Sequence, residues 1–212
     1  MKLEKSCTLY IVRHGETEWN TQKIIQGHSD SSLTQKGLDQ ACDLREMFKD
    51  IKFDHVFSSD LLRAKRTAEV IAAQDKVEVK TTQALRERCF GRFEGKKFAE
   101  YTAELKELIE QMETLSQAEY AKHKLDPSIE SDEELISRMI FFLRETALAY
   151  IGKNVLVVSH GGMIRALLIH LGFGTRQELT PHAVQNCAYL KLVSDGTDFS
   201  IEETHNIIKD VV

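Results

Sequence analysis

The stretch that decides the fold is TLYIVRHGE, residues 8–16 of the chain. Its first five residues, Thr8 to Val12, are apolar or β-forming and predict a short buried strand. The run stops at Arg13, His14 and Gly15. An apolar strand followed at once by such residues is typical of the carboxyl edge of an open α/β sheet, where ligands bind.

Strands and helices alternate along most of the remaining sequence. Apolar runs predict further strands over residues 54–57, 77–79, 155–158, 187–193 and 199–203, the last two forming a hairpin. Helical spacing predicts helices over residues 34–50, 61–73 and 163–171. Thr34 is a candidate cap for the first of these helices, and residues 58–60 are candidates for the second. The order predicts an α/β fold: a three-layer α/β/α sandwich with a mainly parallel sheet and an antiparallel edge.

Residues 96–150 interrupt this alternation. Apolar spacing from Phe98 to Leu115 predicts one long helix, and Ser131 with Glu134 predicts a capping box at the start of another. We interpret this segment as a helical cap inserted over one end of the sheet. The alternative is that its helices cover a sheet face.

Composition and length set the broad class of the protein. The chain of 212 residues is 42% hydrophobic and 29% charged, which predicts one globular domain over residues 1–212. Its net charge of −5 argues against a nucleic-acid partner. Residues 1–6 contain no apolar leader, and no apolar run is long enough for a membrane span. The four cysteines show no paired spacing, so we expect free thiols, a cytoplasmic protein and no structural metal.

Three polar clusters follow predicted strands and are expected to meet at one sheet edge. They are residues 13–15, 58–63 and 159–162. Gly161 and Gly162 permit close approach to a helix N-terminus, which favours an anion. Arg63 lies in a first helical turn, where the macrodipole disfavours a cation unless an anion is bound nearby. Phosphate is the anion that this combination predicts.

These clusters carry a family resemblance that covers nearly the whole chain outside the cap. The sequence resembles the histidine phosphatase (phosphoglycerate mutase-like) superfamily in four blocks that occur in order. The blocks are Arg13-His14-Gly15-Glu16 with Asn20, Gln26-Gly27, Leu33-Thr34 and Gly37; residues 58–64 with Thr67-Ala68; Leu85-Arg86-Glu87 with Gly91 and Glu94-Gly95; and residues 159–162. Residues 23–27, 57–61 and 85–88 with Glu94-Gly95-Lys96 are also similar to TIGAR-type sugar bisphosphatases, which act on fructose 2,6-bisphosphate.

The resemblance implies a metal-independent phosphomonoester hydrolase without a cofactor, acting on a small phosphorylated metabolite. In it, His14 is the nucleophile that becomes phosphohistidine, and Glu87 is the general acid and base. Arg13, Arg63 and His160 stabilise the transferred phosphoryl group. The implied phosphate or substrate ligands are Asn20, Gln26, Gly27, the N–H of Gly161, and Lys96.

Several alternatives remain open at this level. Glu16 and Glu94 compete with Glu87 for the acid–base role. A phosphoglycerate mutase has the same motifs, although a mutase lid would carry more arginine and proline. A non-catalytic module of the same fold that binds phospho-ligands or phosphoproteins is a further alternative, but such a relative is expected to have lost the nucleophile or one arginine, and none is missing here. A zinc hydrolase is disfavoured because neither His14 nor His160 has a further ligand at usable spacing, and the serine-hydrolase elbow is missing. The sequence predicts no particular oligomeric state.

Overall fold

The computed structural model describes residues 6–210, so the prediction on the N-terminal leader falls almost entirely outside the described residues. The strands are β1 Cys7–Arg13, β2 His55–Ser59, β3 Val79–Thr82, β4 Asn154–Ser159, β5 Val184–Ser194 and β6 Phe199–Ile207. The helices are α1 Glu18–Thr21, α2 Gln35–Met47, α3 Leu62–Ile71, α4 Phe98–Glu104, α5 Lys106–Glu113, α6 Gln117–Lys122, α7 Asp132–Ala149 and α8 Gly161–His170.

The six strands form one sheet in the order β3-β2-β4-β1-β5-β6. The pairs β3–β2, β2–β4 and β4–β1 are parallel. At the other side of the sheet, the pairs β1–β5 and β5–β6 are antiparallel. This confirms the mainly parallel sheet with an antiparallel edge. β1 and β4 are in register up to Arg13 and Ser159, so their polar successors emerge side by side.

The alternation of side chains along β1 gives the sheet two buried faces. Leu9 and Ile11 pack in one core cluster together with α7 and α8, and Tyr10 and Val12 pack in the other with α2 and α3. Because successive side chains of a strand point to opposite faces, one central strand serves both layers. The three-layer sandwich is therefore confirmed.

The segment over residues 96–150 divides into two parts. Its last helix, α7, begins at the predicted capping box of Ser131 and Glu134 and packs into the core on one sheet face. The remainder belongs to a third, smaller cluster that includes Ile25, Phe93 and Tyr101. The helix predicted from Phe98 to Leu115 is wrong as a single element, because the chain turns at Leu105 and again before a new capping box at Ser116.

Within residues 6–210, none of the helices has the length and apolar character that crossing a bilayer requires.

Candidate active site

His14 lies buried directly after β1, with 4% of its surface exposed. Its Nδ1 lies 2.7 Å from the carbonyl oxygen of Gly15, which can only accept, so Nδ1 carries the proton. Burial first, and then the charges of Arg63 and Arg13, lower the pKa of His14 well below its ordinary value. The ring is therefore neutral, and its Nε2 lone pair is available as a nucleophile.

A contact between two glycines fixes the turn that carries His14. A side chain at Gly15 would place its Cβ 2.4 Å from the carbonyl oxygen of Gly37 in α2. The Gly15 N–H donates to Thr67 Oγ1 at 3.1 Å, which ties the same turn to α3. Thr34 is the N-cap of α2, as predicted, and accepts a hydrogen bond from Gly37 N–H at 3.0 Å. The nucleophile thus lies on a segment anchored by two helices.

Around His14 the structure gathers buried polar atoms that lack hydrogen-bond partners within the described residues. They are Nε of Arg13, Nε of Arg63 and both ring nitrogens of His160. The His160 ring lies 5.2 Å from that of His14, centroid to centroid. Burial and the charge of Arg63 lower the pKa of His160 well below its ordinary value, so this ring is neutral too and has one N–H to donate. Buried donors of this kind are normally satisfied, and an oxyanion bound here would satisfy them.

The two glycines that open α8 make room for charged side chains. A Cβ at Gly161 would lie 3.0 Å from Nε of Arg13, and a Cβ at Gly162 would lie 2.6 Å from Oε1 of Glu87. Arg13 is fixed from its other side, since its Nη1 donates to the carbonyl oxygen of Val184 at 2.6 Å. The sequence predicted that Gly161 and Gly162 permit close approach to the helix N-terminus. In the structure, the side chains that approach them closely are those of Arg13 and Glu87.

Arg63 is 1% exposed and is held by the loop before α2. Its Nη1 donates to Asp30 Oδ1 at 2.9 Å and to the carbonyl of Ser29 at 2.7 Å, and its Nη2 donates to the carbonyl of Gly27 at 2.8 Å. The Asp30 carboxylate also accepts from the Leu62 N–H at the start of α3. Asp30 therefore offsets the cost of a cation in the first turn, a cost that the sequence had suggested a bound anion would offset.

The N-terminal cap of α3 differs from the one predicted at residues 58–60. Ser59 Oγ accepts from Leu61 N–H at 3.3 Å, but Asp60 turns away and forms a two-point pair with Arg86, at 2.7 and 2.6 Å. The carboxylate at this helix N-terminus comes from Asp30, which is remote in sequence. No local pattern marks such a cap.

Glu87 reaches the same cluster from the segment after β3. Its Oε2 accepts from Gly162 N–H at 2.9 Å and its Oε1 from Arg88 N–H at 2.8 Å. Arg138 of α7 donates to the Glu87 carbonyl at 3.0 Å while forming a two-point pair with Glu130, so the main chain at Glu87 is also held.

The two competing glutamates have other partners. Glu94 accepts from the N–H groups of His28, Ser29 and Phe90 at 2.9–3.1 Å. Burial by itself raises the pKa of Glu94, but these bonds outweigh it and the pKa lies below its ordinary value. Glu16 pairs with Lys36 at 2.9 Å. Glu94 organises the loop of Gly27, where a Cβ would lie 2.2 Å from the Glu94 carboxylate. Of the three glutamates, Glu87 is the one that accepts a hydrogen bond from the α8 N-terminus in the described part of the chain.

Asn20 and Gln26 both form hydrogen bonds with Thr17, which lies three residues after His14. Asn20 is the third residue of α1 and completes a capping box with Thr17. Gln26 Nε2 donates to Thr17 Oγ1 at 2.8 Å, and Gln26 Oε1 is buried without a partner among residues 6–210. Because a hydroxyl can also donate, the reversed amide would keep its bond to Thr17 and would present its NH2 to a phosphate.

Lys96 is not brought into this cluster by any contact that the structure describes. Its Nζ lies 3.7 Å from Glu104 and 5.0 Å from the Phe93 ring centroid, and its side chain is 39% exposed. The nearby Arg92 pairs with Asp126 and Glu104. Both basic side chains therefore have acidic partners. In residues 6–210 no three His, Cys, Asp or Glu side chains are grouped to hold a metal.

The chain is similar to known proteins over most of its length. The family model described as histidine phosphatase superfamily (branch 1) matches residues 9–207. Phosphoglycerate mutase-like protein 4 of Arabidopsis thaliana is 37% identical over 165 residues, covering 75% of this chain and 68% of its own. The uncharacterized phosphatase PhoE of Bacillus subtilis is 34% identical, covering 84% and 83%. The crystal structure of a phosphoglycerate mutase from Bacillus anthracis superposes with a TM-score of 0.83 at 30% identity, covering 95% and 93%.

Proposed function

The chain belongs to the histidine phosphatase superfamily, and from that premise we propose that it is a metal-independent phosphomonoester hydrolase acting through a phosphohistidine at His14. The observation that carries the proposal is a neutral, buried imidazole, protonated at Nδ1, that lies close to buried donors with no partner among residues 6–210. Such donors stabilise the charge of a transferring phosphoryl group without reorganising first. Phosphoryl transfer depends chiefly on this kind of positioning and electrostatics.

The first half-reaction transfers the phosphoryl group to the protein. His14 Nε2 attacks phosphorus, a P–N bond forms, and the bond from phosphorus to the ester oxygen breaks. Arg13, Arg63 and His160 donate to the non-bridging oxygens through the atoms that lack partners. Glu87, held by the N–H groups of Gly162 and Arg88, gives its proton to the departing alcohol oxygen.

The second half-reaction returns the protein to its starting state. Water attacks phosphorus while Glu87, now a carboxylate, takes the proton of that water. The P–N bond breaks, its electron pair returns to His14 Nε2, and inorganic phosphate is released. Asn20, Gln26 and the N–H groups of Gly27 and Gly161 complete the phosphate site in this proposal, whereas Lys96 has its own partner in Glu104.

We propose a small phosphorylated metabolite as substrate, and a sugar bisphosphate as the first compound to test. Residues 23–27 and 85–88, with their similarity to TIGAR-type enzymes, support this choice. The proposed compartment is the cytoplasm, supported by four cysteines that are all free thiols. We also propose that residues 1–212 form one catalytic domain. In this domain, the helical insertion of residues 96–150 borders the site.

Phosphoglycerate mutase activity is the second candidate function. It is favoured by the similar crystal structure from Bacillus anthracis, which carries that name, and by the Arabidopsis relative, which is named phosphoglycerate mutase-like. A mutase returns the phosphoryl group to an acceptor on the substrate, and a hydrolase gives it to water. The two activities therefore differ in the acceptor that reaches the phosphohistidine.

Hydrolysis of an aryl phosphate tests the proposal directly. We expect turnover that persists in excess chelator and is lost in His14→Ala, while His123→Ala, at an exposed histidine, keeps it. Activity that survives in His14→Ala would remove His14 as nucleophile. A panel of fructose 2,6-bisphosphate, fructose 1,6-bisphosphate, phosphoglycerates and phosphopeptides then ranks substrates. Mutase turnover dependent on 2,3-bisphosphoglycerate and faster than hydrolysis would favour the second candidate.

A further inference from the structure

We infer that Asn186, at the start of β5, is a positioning residue of this site: it turns the Asn20 amide toward the phosphate and holds the main chain of His14. The inference rests on the proposed function for its catalytic meaning. The Asn186 side chain is half-buried, and its Nδ2 lies 3.1 Å from the carbonyl oxygen of His14 and 3.3 Å from Oδ1 of Asn20.

The orientation of the Asn186 and Asn20 amides follows from neighbours that can only accept or only donate a hydrogen bond. The His14 carbonyl can only accept, so the NH2 end of Asn186 must face it. The Thr17 N–H can only donate, and it lies 3.1 Å from Asn20, so the oxygen of that amide must face Thr17. With both ends set, the second hydrogen of Asn186 Nδ2 is donated to Asn20 Oδ1.

Asn20 Oδ1 therefore accepts two hydrogen bonds, from Thr17 and from Asn186. Both acceptor positions of Oδ1 are thus occupied, whereas Asn20 Nδ2 has no hydrogen-bond partner among the residues that the structure describes. An amide held in this way presents N–H groups, and not its oxygen, to whatever lies on its open side. An oxyanion is the complementary ligand.

The backbone around Asn186 departs from a regular strand where it meets His14. Cys187 has a φ of 54°, in the left-handed region, and the register of β5 against β6 shifts between Val184 and Tyr189. The Cys187 N–H points at the same carbonyl of His14, at 3.4 Å. A non-glycine residue in this region is held there at a cost by its surroundings. Here the irregular backbone brings two donors onto the segment that carries the nucleophile.

The test compares phosphate binding and turnover in two variants of Asn186 with a matched control. Asn186→Leu removes the donor, and Asn186→Asp keeps the shape but replaces the donor with an acceptor. The control is Asn154→Leu, at the opposite end of the sheet, which also loses one side-chain bond to a carbonyl, that of Lys52 at 3.2 Å. We expect both Asn186 variants to raise the Kd for inorganic phosphate and lower kcat/KM about tenfold, as for one lost bond to a charged group. Asn154→Leu should leave phosphate Kd within about twofold of the wild-type value, whatever it does to stability.

A double-mutant cycle shows whether Asn186 acts through Asn20. In the Asn20→Ala background, Asn186→Leu should change phosphate Kd by less than about threefold, because the amide it orients is gone and only its bond to the His14 carbonyl is still there to lose. The same tenfold loss in both backgrounds, or no loss in either Asn186 variant, would overturn the inference. If the wild-type chain binds phosphate but hydrolyses nothing, the proposed function fails, and the Kd comparison still decides the role of Asn186.

Discussion

Replacing Asp30 by asparagine should destabilise the protein although Asp30 is not a proposed catalytic residue. Arg63 is 1% exposed and its ion-pair partner Asp30 is 25% exposed. Breaking a fully buried pair costs about 3–5 kcal/mol, because the remaining charge is left uncompensated. Since Asp30 is partly in water, and asparagine keeps one oxygen for the α3 N–H groups, we expect a loss of about 2 kcal/mol.

Urea unfolding at neutral pH measures this loss. With a slope of about 2 kcal/mol/M, the midpoint of Asp30→Asn should fall by about 1 M at unchanged slope. Asp39→Asn, the same substitution at an exposed position of α2, is the control and should not move the midpoint. Asp30→Asn unfolding at the wild-type midpoint would refute the reasoning, because it would mean that Arg63 does not need its carboxylate.

Two further predictions concern the same site. Gly37→Ala puts a Cβ 2.1 Å from the Glu16 carbonyl oxygen and should lower the free energy of unfolding by about 3 kcal/mol. Its control, Gly152→Ala, at φ 76° with open space around it, should lower it by about 1 kcal/mol. Equal falls of the two urea midpoints would contradict the contact at Gly37. His14 and His160 have folded-state pKa values well below their ordinary values, so below about pH 6.5 the unfolded chain binds protons that the folded chain does not. Stability should therefore fall with decreasing pH, by up to about 1.4 kcal/mol per pH unit for each histidine, and His160→Gln should remove one such contribution between pH 6.5 and 5. An unchanged slope in that variant would show that His160 is not held neutral.

The sheet and its layers were predictable because the information that encodes them is local. Five apolar or β-forming residues from Thr8 predicted β1, and Thr34 and Ser131 predicted the starts of two helices at the residues where the structure begins them. The break between α4 and α5 at Leu105 was not predictable from spacing, because the apolar period runs through it. Packing of Tyr101 and Leu105 with Phe93 is a tertiary preference that overrides the period.

The site divides in the same way. The clusters of His14, Arg63 and His160 were predicted to meet because strand ends share one edge, and the structure brings them together. Asp30 was missed, since it lies in a loop and acts on a helix start more than thirty residues away. Asn186 was missed because its partners are Asn20 and His14, which no pattern in β5 indicates. Lys96 was assigned by resemblance alone, and the nearby charge of Glu104 could not be placed from sequence.

The unpartnered atoms of Arg13, Arg63 and His160 also bear on how this protein would respond to selection for heat resistance. Together with Gln26 Oε1, they are the buried side-chain polar atoms that have no hydrogen-bond partner among the described residues, and each desolvated group without a bond costs free energy. An apolar side chain that fills the place of His160 would relieve part of that cost while abolishing the proposed anion site. Screens that reward only a higher melting temperature should therefore enrich variants that lack the proposed activity, so thermostabilisation of this protein has to be coupled to a turnover assay.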